Sequence, residues 1–191
     1  MRPVREWLLV LLCLGLTGCV TAQRRGEQAL YAGQYDEAIH IFQATLAEHP
    51  DRLDARLGLG IALYKAGAMS DAAVTLDEVL ALAPADGAAL LYRGLIAIQQ
   101  RQDEAAAGFL ARFGDVARIP RFQAQLERAL RVLRGPEPLS AEMREFMSTS
   151  LEDAVRSARE VEQARLAAQR AYLSAFPPVH CSPTRHGWIC F

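Results

Sequence analysis

Aromatic side chains are scarce in this sequence, at 7% of 191 residues, while alanine and leucine far outnumber valine, isoleucine and phenylalanine. Sheets draw on β-branched and aromatic residues, so this balance argues against them and for helices packed through small side chains. An excess of one charge is also missing: 21 basic residues meet 22 acidic ones, for a net charge of −1. That excludes the basic footprint of a nucleic-acid binder. The apolar run over residues 7–16 is about half of the roughly 20 residues that a membrane-spanning helix needs. Catalytic signatures are absent too: there is no Ser-His-Asp order, phosphate loop, paired-histidine metal helix or haem-attachment Cys-x-x-Cys-His. His40 and His49 read as surface or partly packed residues, and the carboxylates scatter over solvated faces. No enzyme, no cofactor and no small-molecule substrate are expected. The length suits one domain, or a compact domain with an extension.

What is present begins at the N-terminus. Arg2 and Arg5 precede the apolar run, and Thr17-Gly18-Cys19 follows it. A charged start, a short apolar core and small residues before a cleavage point describe a secretory signal. Leu16-Thr17-Gly18-Cys19 resembles the bacterial lipobox. The resemblance implies that residues 1–18 are removed, that a diacylglycerol is attached to the Cys19 thiol, and that the new amine is acylated. Several acyl chains, at about 0.8 kcal/mol per buried methylene, anchor a protein durably, whereas one is marginal. In that family an Asp after the cysteine retains the protein at the inner membrane. Val20 stands there, which leans towards the periplasmic face of the outer membrane, with the inner membrane left open. The alternative is an ordinary signal peptide with Cys19 incidental. Cys13, inside the apolar run, is removed on either reading.

The next feature is an internal repeat. Gly26, Gly60 and Gly94 are 34 residues apart, as are Ala38, Ala72 and Ala106, then Phe42, Leu76 and Leu110, then Pro50 and Pro84, and also Gly33 and Gly67. Each column has a place in a helix-turn-helix unit. The first glycine allows close helix approach. Gly33 and Gly67 end the first helix in the left-handed conformation, and Asp36 and Ser70 fit as N-caps of the second. The alanines lie where two helices meet, Phe42 and Leu76 fill space between repeats, and the prolines stop the second helix.

Period and residue types resemble the tetratricopeptide repeat family, over residues 19–120 as three units. The resemblance implies an all-α, right-handed solenoid that binds an extended or helical peptide on the concave face of its first helices. Carried onto this chain, that face comprises Glu27, Leu30, Tyr31, Leu57, Ile61, Tyr64, Lys65, Leu91, Leu95, Ile98 and Gln99. Its apolar lining favours an amphipathic helix as ligand; the same residues read equally well as ordinary core. The chain departs from the family pattern in having Ala22, Arg56 and Leu90 where a large aromatic is common, Arg101 in place of the third turn glycine, and Arg118 in place of the third proline. A non-repetitive helical bundle is the competing architecture.

Beyond the repeats, a capping helix is expected over 121–135, beginning at Pro120, with Ile119, Phe122, Leu126, Leu130 and Leu133 as its stripe. A long amphipathic helix follows over 140–175, N-capped by Ser140, with a seam of Met147, Leu151, Ala154, Ala158, Val161, Ala168 and Tyr172. It exceeds what one repeat covers, so it lies along the stack, filling the groove at least part of the time, or joins a partner chain. In the tail, 176–191, Cys181 and Cys190 enclose His186 and Trp188. A disulfide is the favoured reading for an exported chain; a metal site with His180 and His186, and free or intermolecularly paired thiols, are the others. The functional expectation is a membrane-anchored scaffold or adaptor that binds another cell-envelope protein. Its alternative is a structural lipoprotein self-associating through the long helix.

Overall fold

The computed structural model describes residues 22–175, 181–184 and 187–190. Residues 1–18, expected to be a signal segment, and Cys19, Pro177-Pro178, His180 and His186 lie outside the described residues. The chain forms two compact units, Met1–Ser148 and Thr149–Phe191. Eight helices occur among the described residues: α1 over 22–31, α2 Tyr35–Glu48, α3 Leu53–Lys65, α4 Met69–Leu82, α5 Gly87–Gln99, α6 Asp103–Ala117, α7 Pro120–Leu133 and α8 Ala141–Ala175. Two short strands, β1 Cys181–Thr184 and β2 Gly187–Cys190, form an antiparallel hairpin.

In the first unit, α2 through α6 each pack against the next helix in sequence, and α3 also touches α5. This is the consecutive pairing of an α-solenoid, with the long α8 following. The 34-residue columns interlock to build it. A methyl group placed on Gly26 would lie 2.7 Å from the Phe42 ring, one on Gly60 2.7 Å from Leu76, and one on Gly94 2.8 Å from Leu110. Each repeat glycine is therefore a hollow in the first helix that receives the large apolar side chain sixteen positions later in the second. Phe42 is received twice, because a methyl on Gly58 of α3 would sit 2.5 Å from the same ring. Ala38, Ala72 and Ala106 are fully buried where paired helices cross. In α7, Phe122, Leu126, Ala129 and Leu133 are buried, and Phe122 meets Phe113 of α6 edge to face at 5.6 Å.

The turns inside the units repeat closely. After α1 the Gln34 N–H donates to Ala29 O at 2.9 Å, after α3 the Ala68 N–H to Leu63 O at 2.9 Å, and after α5 the Gln102 N–H to Ala97 O at 2.9 Å. This six-to-one bond satisfies a carbonyl that the helix end orphans, and it needs a left-handed residue before the donor. Gly33 (φ 77°) and Gly67 (φ 83°) supply it, and in the third unit Arg101 does so at φ 61°. The third turn is thus built like the other two despite its arginine. A left-handed non-glycine residue costs about 1–2 kcal/mol, and glycine returns part of that gain through its freer unfolded chain. Arg101→Gly is expected to raise stability by about 1 kcal/mol in urea titrations, while Gly67→Ala lowers it by a similar amount.

The second helices begin earlier than the sequence suggests. Gln34 and Ala68 occupy the N-cap positions of α2 and α4, without side-chain cap bonds. Asp36 and Ser70 are therefore not N-caps; both stand inside the first helical turn. The cause is the turn itself, since the residue after the left-handed one is already the helix entry. Asp36 there still meets the positive end of the helix dipole. Ser140 does cap α8, its hydroxyl accepting from the Met143 N–H at 3.2 Å.

Candidate functional site

The residues assigned to a binding face sit on the first helices of the three units, and the structure divides them into two groups. Tyr31, at the end of α1, is 90% exposed. Glu27 is exposed, and Leu30, Leu57, Ile61, Tyr64 and Lys65 are half-buried on α1 and α3. Leu30 also packs on the core cluster of Ala29, Ala38, Phe42, Ala55 and Ala62. On α5, by contrast, Leu91, Leu95 and Ile98 are buried and offer a partner no surface in this state, while Gln99 is half-buried.

Part of the reason lies at the start of α8, within the first unit. Arg144, only 5% exposed, reaches the C-terminal end of α5 and the N-terminal end of α6. One guanidinium nitrogen, Nη1, donates to Ile98 O at 2.8 Å and to Asp103 Oδ1; the other, Nη2, donates to Asp103 Oδ2 at 2.9 Å. The bidentate fork matches carboxylate geometry, and the cation also meets the negative end of the α5 dipole. One turn later, Gln99 Nε2 donates to Ser148 Oγ at 3.1 Å. The end of the face made by Ile98 and Gln99 is therefore engaged by residues 141–148 of the same chain.

Electrostatics follow from these contacts. Hydrogen bonds from Arg144 hold the Asp103 carboxyl below its ordinary range, outweighing partial burial, which pushes the other way. The Asp103 carboxylate in turn raises the Arg144 guanidinium further above its usual value. The Arg52 side chain similarly lowers Asp54 at the start of α3. On the open end of the face, the Lys65 ammonium lies 5.9 Å from the centre of the Tyr64 ring, and Tyr64 meets Tyr92 edge-on with ring centres 5.3 Å apart. Beside Lys65 an open cleft of about 440 Å³ runs past Gly33, Gln34, Tyr35, Asp36 and Glu37. Only Lys65 of the predicted face borders it.

Tyr92 and Arg144 were not among the residues assigned from sequence. Tyr92 has no partner in the 34-residue columns, and its contact with Tyr64 depends on how α3 and α5 cross. Arg144 lies 41 positions from Asp103, a separation that no helical periodicity encodes. Among the described residues no group of three His, Cys, Asp or Glu side chains is placed to hold a metal ion.

Residues 29–91 match the tetratricopeptide repeat family model. No curated protein matches the chain. Among solved structures, a double mutant of MamA from strain RS-1 is 22% identical, with a TM-score of 0.56 over 73% of this chain and 76% of that one. MamA from residue 41 onward, from Desulfovibrio magneticus RS-1, is 20% identical, with a TM-score of 0.54 over 76% of each chain. The first tetratricopeptide domain of the human RPAP3 protein is 18% identical, with a TM-score of 0.53 over 62% of this chain and 97% of that domain. These identities speak for the fold. The fold is a tetratricopeptide-like α-solenoid, residues 29–91 match that repeat, and no catalytic family is identified among the matches.

Proposed function

We propose that this protein is a membrane-anchored tetratricopeptide scaffold that binds another cell-envelope protein through the exposed face of α1 and α3. The observation that carries this reading is the contrast between units. Tyr31 of the first unit stands 90% exposed and Leu57, Ile61 and Tyr64 of the second are half-buried, whereas the equivalent end of the third is covered. Half-exposed tyrosine and aliphatic side chains suit the apolar ridge of an amphipathic helix, and aromatic anchors of this kind carry most of the energy at interfaces. Envelope location rests on Leu16-Thr17-Gly18-Cys19, with Cys19 as the lipidated residue and the periplasmic face of the outer membrane as the favoured address. Among the described residues no helix is long and apolar enough to cross a membrane.

Two measurements test the proposal. Cys19→Ser is expected to move the protein out of the membrane fraction and abolish lipid labelling; unchanged retention refutes the anchor. A photo-crosslinking residue at Tyr31, in the native cell, is expected to capture a discrete partner, and Ile61→Glu to reduce capture at least about tenfold, the equivalent of roughly 1.4 kcal/mol. Equal capture from Val74, an exposed position on α4, would show that the face is not the docking surface.

One observation favours a second reading, self-association through α8. Every residue over 159–174 is exposed, Val161, Leu166 and Leu173 included. Light scattering on protein beginning at Val20 separates the two: a monomer supports the adaptor, and a dimer dissociated by Leu166→Glu supports assembly.

A further inference from the structure

The backbone of the tail hairpin places its two cysteines opposite each other. The register pairs Cys181 with Cys190, Ser182 with Ile189, Pro183 with Trp188, and Thr184 with Gly187. Only Arg185 and His186 separate the strands in sequence. In so short a hairpin the residues flanking the connection exchange both backbone hydrogen bonds, and bonded and non-bonded pairs alternate outward from there. Counting from Thr184 and Gly187, the pair of Pro183 and Trp188 is non-bonded, Ser182 and Ile189 are bonded, and Cys181 and Cys190 are again non-bonded. Proline gives an independent check on that count. Lacking an N–H, it is excluded from a bonded position and tolerated at a non-bonded one. Directly opposed, non-bonded partners have Cα atoms about 4.5 Å apart, inside the roughly 4.4–6.8 Å window of a disulfide. A lone two-stranded hairpin is also marginal in water, so this element has a physical need for a cross-link.

We propose that Cys181 and Cys190 form an intramolecular cross-strand disulfide that closes the hairpin. It forms by exchange with an external disulfide, either a small-molecule disulfide or a disulfide-bonded protein oxidant. One cysteine thiolate attacks that disulfide, making a mixed disulfide and releasing the first thiol. The second cysteine then attacks the sulfur of the first and releases the other thiol. Two electrons and two protons leave the cysteines, and the oxidant ends as two thiols. Metal binding with His180 and His186 competes for the same sulfurs and is an outcome of the test.

The full chain, purified in detergent and equilibrated with glutathione disulfide, is alkylated, digested with trypsin and weighed. Trypsin cuts after Arg170 and Arg185, so the two cysteines fall in separate peptides, 171–185 and 186–191. The expected result is one joined species, two hydrogens lighter than the sum and split by reduction, from protein that migrates as a monomer without reductant. Alkyl label on both cysteines, joining found only in dimers, or zinc that protects both thiols of the reduced chain from alkylation would each overturn the proposal. The same digest from native cells, alkylated at lysis, addresses location separately. Joined peptides there support export to an oxidising compartment. Joining only in vitro leaves the disulfide standing and counts against the envelope assignment.

Discussion

Phe42→Ala is expected to destabilise the repeat unit by about 3–5 kcal/mol, at the upper end of what phenylalanine truncation costs. The ring is fully buried and lies between two glycines, Gly26 of α1 and Gly58 of α3. A cavity costs least when neighbouring side chains collapse into it, and here the nearest walls are backbone with no side chain to move. The same geometry predicts a reversal of sign. In the natural sequence Gly58→Ala overpacks the ring, its new methyl only 2.5 Å from Phe42, and costs roughly 1–3 kcal/mol. In the Phe42→Ala background that methyl enters empty space, and the substitution gains up to about 1 kcal/mol from helix propensity. Urea titration of the four proteins in the cycle measures this directly. A Gly58→Ala effect of the same sign in both backgrounds would mean that the ring does not occupy the hollow.

The second large effect belongs to the ion pair that fastens the start of α8. Arg144 is 5% exposed, whereas the Asp103 side chain keeps 31% of its surface. Removing one partner of a buried pair costs about 3–5 kcal/mol because the other charge is left stranded. Partial exposure of Asp103 lets water relieve some of that, so Asp103→Ala is expected to cost about 2–3 kcal/mol. Arg144→Met strands only the half-open carboxylate, which hydrates readily, and is expected to cost less. The order of the two, read from denaturant midpoints and from amide exchange over 141–148, is the test; a larger loss from Arg144→Met contradicts it. A pH dependence accompanies the pair. The folded-state pKa of Asp103 is depressed by Arg144, so its contribution is fully present above the unfolded value near pH 4 and is lost as pH falls through the lower folded value. In Asp103→Ala that part of the acid sensitivity disappears.

The interlocking of glycine and large apolar residues was legible in the sequence as spacing, because each repeat solves the same packing problem with the same residues. What spacing did not reveal is which surfaces touch: Phe42 fits its own unit's glycine and also the next unit's Gly58. Arg101 reads as a break in the pattern, yet it adopts the left-handed turn at φ 61°, since the six-to-one hydrogen bond and the packing of α5 on α6 outweigh its local preference. Asp36 and Ser70 look like caps because polar residues before apolar runs usually are, whereas a left-handed turn starts the helix sooner. How far the candidate face is open to solvent was not legible. Leu91, Leu95 and Ile98 have the same apolar character whether a partner or the protein's own interior covers them, so composition cannot separate the two cases. The Arg144–Asp103 pair is a long-range contact with no local signature.

The exposure of α8 over 159–174 has a consequence for heating. That stretch gains almost nothing from side-chain burial and is sustained by alanine-rich propensity and by propagation from the turns before it. Its helicity is therefore graded rather than all-or-none, unwinding residue by residue from the C-terminal side at temperatures where the glycine-and-leucine stack is still intact. Such a rod is long when cool and shorter when warm, and any protein that grips its far turns also lengthens it.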